Sequence, residues 1–334
     1  MNIIISMRKL FLLIIVCLLF VVPLFSVSAS SKNNISKVFK ELRANTIWPV
    51  KNSDNNDIIS PFGPRWIQQY TCRPETHDWH SGLDIEADES TKVKAVSEGE
   101  VYEIAEYDGA GNTVILKHEL PSNTKFHGQS VEYYYTWYAH LQGFKDGLEV
   151  GDTVKKGKVI GYVGQTGNAS SPHLHLELHI GSPWSYVYDD SYGFDSAINP
   201  MMLFEPDTKS MMVATVQLPS ENNKGEFGYV TKANQPLLNR VKFTIRKKSD
   251  NKVIKQHVLN LDTRQGYDYT STQALDTADK TKPYLKPQSS PFRYGYYYMD
   301  IVIPKKYIQK YTGSKYKMIL KVYDIWGRSK KITF

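Results

Sequence analysis

The chain has 334 residues, which is long enough for two domains, and it contains two cysteines. Its net charge of +7 hides an asymmetry: residues 30–205 carry 15 Lys and Arg against 24 Asp and Glu, whereas residues 206–334 carry 24 against 10. The two regions have net charges of −9 and +14, and +14 is large for a surface without a charged partner. These numbers argue against a chain with one uniform surface.

Residues 1–29 are predicted to be a secretory signal peptide. Arg8 and Lys9 precede an almost wholly apolar run from Leu10 to Val22, and Val27-Ser28-Ala29 supplies the small residues of a cleavage site. An uncleaved membrane anchor is the alternative, because the apolar run nearly reaches the length of a span. Cleavage predicts a secreted or periplasmic protein of the cell envelope with no stable membrane span. It also leaves Cys72 alone, which excludes an internal disulfide.

Residues 30–57 are predicted to be a short lead-in with a weak helical pattern, and residues 58–205 an all-β domain. Short apolar runs in this domain are separated by glycine turns, as where Gly99–Tyr107 is followed by Gly109-Ala110-Gly111. Runs of this length and spacing are typical of strands. No helix of convincing length is predicted between residues 80 and 180.

Two stretches of this domain have two interpretations each. Phe62-Gly63-Pro64-Arg65 is predicted to be a turn that presents Arg65 either to solvent or to a site near the histidine motifs, followed by a polar, aromatic loop over residues 66–79. The loop from Pro183 to Ile198 is rich in Tyr and Trp. This second loop either paves a substrate groove or packs locally.

Residues 206–334 are predicted to form a basic β-sandwich domain of immunoglobulin-like type. About seven strand-like runs fall within this region, and residues 262–292 are predicted to be a long polar loop. The charge of +14 makes an anionic polymer of the envelope a candidate partner: a wall phosphate polymer or lipopolysaccharide. Nucleic acid would also fit the charge, but secretion argues against it.

The stretch from His173 to Ile180 predicts a strand with an unusual polar face. His173, His175 and Glu177 alternate with leucines, so they share one face, and the leucines share the other. A strand that buries leucines on one side and collects histidines on the other is a plausible platform for a metal ion.

Ligands for that ion must come from other segments as well, since zinc sites combine His with carboxylates. His80 and Asp84 can converge on one ion, and at least one of His173 and His175 can complete the set. His140 ends a separate strand and can reach the same cleft. The remaining histidines of residues 58–205 have no such pattern and are interpreted as structural or surface residues: His77, His118, His127 and His179.

The ordered motifs of this region resemble those of the lysostaphin-type (LytM-like) zinc endopeptidases, which are peptidoglycan hydrolases. The resemblance covers about residues 58–203. It rests on the following motifs: Phe62-Gly63-Pro64-Arg65, His80-x-x-x-Asp84, Tyr138-Ala139-His140-Leu141, Gly151-Asp152-x-Val154-x-x-Gly157, Gly161-x-x-Gly164-x-Thr166-Gly167 and His173-x-His175.

The resemblance implies an antiparallel β core with a central groove and one Zn²⁺ per chain. It implies that His80, Asp84 and His175 bind the zinc and leave a fourth position for water. His140 and His173 would not be ligands; they would position and polarise the water and stabilise the developing oxyanion. The substrate would be the peptide part of peptidoglycan, in stem peptides or cross-bridges.

Some members of the family have lost ligands and act as activators of other wall enzymes, so a non-catalytic regulator or envelope-binding module on the same fold is the alternative. All five positions are retained here, which favours an enzyme. Two latent forms are also conceivable: Cys72 as a fourth ligand, or the lead-in blocking the cleft. Glu177 is expected to orient a neighbouring residue by a hydrogen bond.

Overall fold

The computed structural model describes the following residues: 35–51, 58–60, 62–67, 76–126, 128–184, 196–205, 215–217, 228–234, 238–260, 282–287, 298–311 and 313–333. The predicted signal peptide and Cys72 lie outside them. Within the described part of the chain, no helix is both long enough and apolar enough to cross a membrane. Most of the described elements are strands in antiparallel sheets, as the all-β prediction requires.

The first region begins with one helix, α1 (Ile35–Leu42), and a short 3₁₀ turn, Arg43–Asn45. Fourteen strands follow, and a second 3₁₀ turn at Pro200–Leu203 comes after them. The strands are β1 (Ile58–Ser60), β2 (Gly63–Ile67), β3 (Thr76–His80), β4 (Gly82–Glu86), β5 (Lys92–Lys94), β6 (Gly99–Tyr107), β7 (Gly111–Glu119), β8 (Lys125–Phe126), β9 (Gln129–Ser130), β10 (Tyr133–Phe144), β11 (Thr153–Val154), β12 (Val159–Val163), β13 (His173–Ile180) and β14 (Ala197–Ile198).

Ten of these strands form one antiparallel sheet with the order β1-β4-β13-β10-β7-β6-β11. Strand β12 also pairs with β10 and β5, and β14 pairs with β13. Strands β2 and β3 form a separate hairpin. The prediction of a turn at residues 62–65 is therefore wrong for Gly63–Arg65, because the backbone continues through Pro64 as an edge strand, where a missing N–H is tolerated.

The apolar core lies on one face of the ten-stranded sheet. Leu174, Leu176 and Leu178 of β13 are fully buried there, as the period-two pattern predicts. Helix α1 covers the same face, and the ring of Phe39 packs edge-on against Tyr134 at 5.5 Å between centroids. The polar residues of β13 point to the opposite face, which α1 leaves uncovered. The described part of the lead-in therefore does not block the histidine face.

The second region contains eight described strands and a short helix, α2 (Lys305–Ile308), followed by a 3₁₀ turn at Gln309–Tyr311. The strands are β15 (Thr215–Gln217), β16 (Gly228–Asn234), β17 (Leu238–Lys247), β18 (Val253–Asn260), β19 (Tyr284–Pro287), β20 (Tyr298–Pro304), β21 (Tyr316–Asp324) and β22 (Ser329–Thr333). Strand β19 lies inside the stretch that was predicted to be a long loop. The strands form two four-stranded sheets, with the orders β15-β16-β20-β19 and β18-β17-β21-β22.

The two four-stranded sheets share one apolar cluster. Ile301 and Ile303 of β20 meet Phe243 of β17 and Leu320 of β21 in it. An immunoglobulin-like sandwich stays a prediction, because the side chains of β15, β16 and β19 lie outside the described residues. The turn after β21 also reaches the first region, since Trp326 Nε1 donates to the carbonyl oxygen of Phe204 at 3.1 Å.

Candidate metal centre

Two neighbouring strands and one strand end bring three potential ligands together. Asp84 of β4 is paired directly with His175 of β13, so their side chains rise side by side from the same face of the sheet. His80 is the last residue of β3, and only Ser81 separates it from β4. The sharp connection turns the imidazole of His80 back over Asp84. All three residues are buried.

The facing atoms of this triad lie at short distances from one another. His175 Nδ1 is 2.8 Å from Asp84 Oδ1, His80 Nε2 is 3.2 Å from the same oxygen, and His80 Nε2 is 3.1 Å from His175 Nδ1. One potential ligand atom from each of the three residues lies within 4.8 Å of the other two. Two imidazole nitrogens and one carboxylate oxygen form a donor set that suits zinc and leaves a tetrahedral position for water.

A second carboxylate stands behind the triad. Glu177 Oε1 is 2.8 Å from His175 Nε2, on the far side of that ring from Asp84. Glu177 also accepts from Ser81 Oγ and from His179 Nε2. Because an ionised carboxylate only accepts, the His175 ring donates through Nε2 to Glu177 and through Nδ1 to Asp84; when Nδ1 gives up its proton to bind a metal ion, the bond to Glu177 keeps the other proton on Nε2. This arrangement fixes the tautomer that a ligand through Nδ1 needs.

The chain of contacts continues beyond Glu177. His179 Nδ1 is 2.9 Å from Ser196 Oγ, and Ser196 Oγ donates to the carbonyl oxygen of Trp184 at 2.8 Å. The expectation that Glu177 orients a neighbour therefore matches its contacts. His179, which was interpreted as structural or surface, is buried and takes part in positioning Glu177.

The electrostatics of the cluster favour a positive charge between the two carboxylates. Burial alone would raise the pKa of Asp84, but the His80 charge and hydrogen bonds from His175 and His80 hold that pKa well below its usual value. Burial alone would likewise raise the pKa of Glu177, but hydrogen bonds from His175 and His179 hold it well below its usual value. Burial alone would lower the pKa of His175, yet hydrogen bonds to the two carboxylates raise it to about 9.

His140 and His173 flank the triad, and each is anchored through Nδ1 to a backbone carbonyl. His140 Nδ1 donates to Thr166 O at 2.8 Å, and His173 Nδ1 donates to Ser171 O at 2.7 Å. Because a carbonyl only accepts, Nε2 is the unprotonated nitrogen of each neutral ring. His173 Nε2 lies 3.5 Å from Asp84 Oδ1, and the rings of His140 and His173 are 4.8 Å apart. Burial, and after it the charge of His175, lowers the pKa of His140 to about 4.

The glycine between His80 and Asp84 is required by close packing. A Cβ on Gly82 would lie 2.5 Å from the carbonyl oxygen of Leu176 and 2.8 Å from His175 Nε2. Only a residue without a side chain lets β4 approach β13 closely enough for Asp84 to meet His175. The spacing of the His80-x-x-x-Asp84 motif thus has a steric cause.

An aromatic cluster adjoins the triad on the same face. Trp137 of β10 pairs with Glu177, and its ring lies 5.2 Å from that of Trp184 and 5.4 Å from that of Tyr107. The first aromatic residue of the loop after Pro183 therefore packs against the domain. The other aromatic residues of that loop are outside the described part of the chain: Tyr186, Tyr188, Tyr192 and Phe194.

The sequence profile of peptidase family M23 matches residues 78–186, which include every residue of the triad, His140, His173 and Glu177. This segment of the chain is a peptidase M23 domain. The LytM-like resemblance predicted from the motifs is thereby confirmed. The all-β architecture of the domain is confirmed by its antiparallel strands.

Named relatives of the M23 domain include the "Peptidoglycan DD-endopeptidase ShyC" of Vibrio cholerae, which is 33% identical over 127 residues, covering 38% of this chain and 25% of the relative. The chain is 36% identical over 129 residues to the "DD-carboxypeptidase/endopeptidase Mpg" of Neisseria meningitidis, covering 38% of this chain and 25% of the relative. It is 32% identical over 147 residues to the "Glycyl-glycine endopeptidase ALE-1" of Staphylococcus capitis, covering 44% and 33%. The aligned part thus spans a quarter to a third of those relatives' lengths.

A solved structure also resembles part of this chain. The catalytic domain of the antimicrobial peptidase lysostaphin from Staphylococcus simulans is 29% identical, and the match covers 44% of this chain and 92% of that domain. Its TM-score is 0.31, which is too low to define the fold.

Several supporting residues of the M23 domain carried no signal in the sequence. Ser60 Oγ lies 3.3 Å from His80 Nδ1, Ser81 donates to Glu177, and Ser196 contacts His179. Each serine comes from a different segment, and serine is common on surfaces. The only sequence cue was the position of Ser81 beside His80. Arg65 belongs to β2, and its side chain lies outside the described residues.

Proposed function

We propose that the M23 domain is a zinc endopeptidase that hydrolyses peptide bonds in peptidoglycan, in stem peptides or cross-bridges. The protein would work in the cell envelope, as a secreted or periplasmic enzyme. The names of the relatives support the reaction class, since they include endopeptidases and a peptidoglycan DD-endopeptidase. The convergence of His80, Asp84 and His175 on one point is the observation that carries the proposal.

His80, Asp84 and His175 would hold one Zn²⁺ through Nε2, Oδ1 and Nδ1. When bound, such an ion polarises a substrate carbonyl and lowers the pKa of water at its open position. Glu177 holds the ring of His175 in the orientation that this ligand set requires, and Ser60 supports His80. The burial of all three ligands excludes competing water from their other ring and carboxylate atoms.

His140 and His173 would act on the substrate. In the neutral form of each ring the proton lies on Nδ1, which donates to the carbonyl, so Nε2 can accept a proton from the attacking water. Once protonated, the same ring can donate to the oxyanion or to the leaving amine. General acid–base catalysis by a positioned histidine contributes about 10²–10⁴-fold to a rate.

The experiment combines metal analysis with peptidoglycan digestion by the purified protein. We expect metal analysis to find about one zinc per chain, as the single proposed site requires, and we expect new amino termini in the digest. Asp84→Ala should lose both. His140→Ala and His173→Ala should keep the zinc and lose activity by at least about a hundredfold. His257→Ala, a histidine of the second region, is the matched control and should change neither.

Mass spectrometry of the released muropeptides then identifies the cleaved bond. If zinc binds and no amino termini appear with any peptidoglycan, the non-catalytic regulator becomes the better description. If His140→Ala and His173→Ala digest peptidoglycan as fast as the unchanged protein, their assignment as catalytic residues is wrong. If Asp84→Ala keeps its zinc, the ligand assignment is wrong.

A further inference from the structure

The sheet β18-β17-β21-β22 has two chemically different faces. Val241, Phe243 and Ile245 of β17 alternate with polar residues and point into the cluster shared with the other sheet. Leu320 of β21 and Ile332 of β22 lie across from β17 on the same inner face. By alternation, the intervening residues of all four strands point outward. The outward face does not contribute to the apolar core.

Six cationic side chains project from this outward face, which we name the basic sheet face: Arg240, Lys242, Arg246, Lys317, Lys321 and Lys331. Lys242 is paired with Lys321, and Lys321 is paired with Lys331, so three ammonium groups form a row across three adjacent strands. Arg246 is paired with Lys317 in a parallel row. Like charges directly opposite each other are destabilising in an isolated sheet.

Acidic residues do not offset these charges in the four strands and their turns. Residues 238–260 and 316–333 contain 12 Lys and Arg but only two acids, Asp250 and Asp324. Asp324 is fully buried and accepts from Arg328 and from the backbone N–H of Trp326. Asp250 lies in the hairpin turn, where it accepts from the backbone N–H of Lys252. The basic sheet face makes no ion pair with any described residue.

Apolar and aromatic groups lie between the cations. Arg240 stacks over the ring of Tyr323 at 4.1 Å, and Lys321 lies 4.7 Å from the same ring. These contacts hold two cations in place without neutralising them. Ile254 and Val258 of the edge strand β18 are each 38% exposed. The surface therefore offers fixed positive charges and some apolar area, which suits a ligand with anionic groups on a short carbon backbone.

We propose that the basic sheet face binds a linear envelope polymer whose repeating units are joined by phosphodiester groups. The proposal goes beyond peptidoglycan hydrolysis and does not depend on it. Adjacent strands are about 4.8 Å apart, and residues two apart on one strand are about 6.7 Å apart, so the cations form a grid on which successive phosphates of one chain can each meet a partner. Lys and Arg are the usual protein ligands of phosphate oxygens.

Binding by such a grid has a characteristic dependence on salt. Each phosphate contact with a flexible strand contributes about −0.7 to the slope of log K against log salt. Six contacts predict a slope near −4, and the loss of three predicts a slope near −2. This property separates a charge array from a pocket that recognises one neutral sugar, because the latter shows almost no salt dependence.

The test measures binding of the full chain to purified poly(glycerol phosphate) at several salt concentrations. The variant Lys242→Gln/Lys321→Gln/Lys331→Gln should weaken binding by about tenfold or more and halve the slope. The control Lys92→Gln/Lys156→Gln/Lys158→Gln removes the same charge from exposed sites of the M23 domain and should bind normally. Lys242→Arg/Lys321→Arg/Lys331→Arg should retain binding, which shows that the sheet tolerates substitution in this row.

Other polyanions serve as competing probes: poly(glutamic acid), a DNA duplex, and vesicles of phosphatidylglycerol and phosphatidylcholine. Weaker binding to these probes than to poly(glycerol phosphate) is expected. If the two Gln variants lose affinity for poly(glycerol phosphate) equally, the proposal is overturned, since net charge alone would then explain binding. Tighter binding to DNA, to vesicles or to poly(glutamic acid) would also overturn it. Asp84→Ala should bind the polymer normally, so failure of the catalytic proposal and failure of this one are distinguishable.

Discussion

Two buried histidine networks lie on opposite faces of the ten-stranded sheet, and they differ in their partners. His175 is 9% exposed and lies between the carboxylates of Asp84 and Glu177. His118 of β7 is 2% exposed and bonds only groups that carry no formal charge: Nδ1 is 2.7 Å from the carbonyl oxygen of Glu98, and Nε2 is 2.8 Å from Thr136 Oγ1.

The two environments shift the histidines in opposite directions. Hydrogen bonds to two carboxylates overcome burial and raise the pKa of His175 to about 9. Burial dominates at His118 and lowers its pKa to about 4, because the hydrogen bond to Glu98 O does not compensate the desolvation of a charged ring. Burial is therefore no marker of a functional histidine in this fold. The charge of the groups around the ring distinguishes His175 from His118.

The network of His118 has a structural role. Thr136 Oγ1 lies 3.1 Å from Tyr138 Oη, and Tyr138 Oη accepts from Val96 N at 2.9 Å. The ring of His118 stacks on Tyr134 at 4.4 Å, with 14° between the planes. These contacts tie β7 and β10 to the start of β6, on the face that α1 covers. The comparison predicts that changes on the two faces have separable consequences.

The largest expected effect is on metal affinity and comes from Glu177. Glu177→Gln keeps the shape of the side chain, but its amide group cannot accept from Ser81, His175 and His179 together, so His175 loses its fixed orientation. We expect the zinc affinity to fall by about 10–100-fold, measured by competition with a chromogenic chelator.

His118→Gln is the matched substitution on the opposite face and should leave zinc affinity unchanged. If Glu177→Gln binds zinc as tightly as the unchanged protein, the carboxylate does not position the ligand. If His118→Gln weakens zinc binding as much as Glu177→Gln, the two faces are not separable, and the comparison fails.

The second effect is on stability as a function of pH and comes from His118. Its pKa is about 4 in the folded chain and about 6.5 when unfolded, so the unfolded state binds more protons between these values. Stability from the neutral ring is present above pH 6.5 and is lost as the pH falls towards 4. We expect the free energy of unfolding to drop by about 2 kcal/mol between pH 7 and pH 5 from this residue alone.

Denaturant unfolding gives the free energy of unfolding of the unchanged protein and of His118→Gln at each pH, with a chelator present to remove metal effects. The difference between the two free energies measures the contribution of His118. The curve of the unchanged protein should fall more steeply towards acid, so that the difference between the two free energies of unfolding changes by about 2 kcal/mol between pH 7 and pH 5. Parallel curves would show that His118 does not titrate differently in the folded and unfolded states.

Alternation and spacing were sufficient to predict where the candidate site lies. Period two assigned His173, His175 and Glu177 to one face, and the structure places them there. The spacing from His80 made Asp84 a candidate ligand, but the pairing of β4 with β13 that sets Asp84 beside His175 could not be predicted from local pattern, because it joins residues 91 positions apart. The same reasoning could not find Ser196, since its contact with His179 joins residues 17 positions apart and no local pattern marks it.

Local patterns were less informative about the edges of the fold. Gly63-Pro64 is typical of a turn, yet β2 pairs with β3 and continues through it. The weak helical pattern of the lead-in could be predicted from Val38 and Leu42. The face of the ten-stranded sheet that it covers could not be predicted. That choice depends on where Phe39 can be buried, and the core around Tyr134 provides the place.

The smallest expected effect concerns the backbone of His140. This residue of the histidine face has a strained backbone conformation, whereas His118 does not. His140 has a φ of 59°, in the left-handed region, while its N–H donates to Ala110 O at 2.8 Å. The pairing of β10 with β7 shifts register between Tyr138 and Leu141, across this position, and the imidazole lies beside that of His173. A non-glycine residue held in this region costs about 1–2 kcal/mol.

His140→Gly and His140→Ala both remove the ring and should both abolish peptidoglycan hydrolysis. They should differ in stability, because glycine adopts this φ without strain and alanine does not. We expect the free energy of unfolding of His140→Gly to be about 1 kcal/mol higher than that of His140→Ala. Tyr107 lies in an ordinary strand conformation of β6 and provides the control. There the free energy of unfolding should be higher for Tyr107→Ala than for Tyr107→Gly. If alanine is the more stable residue at both positions, the backbone of His140 is relaxed, and its conformation is no part of the site.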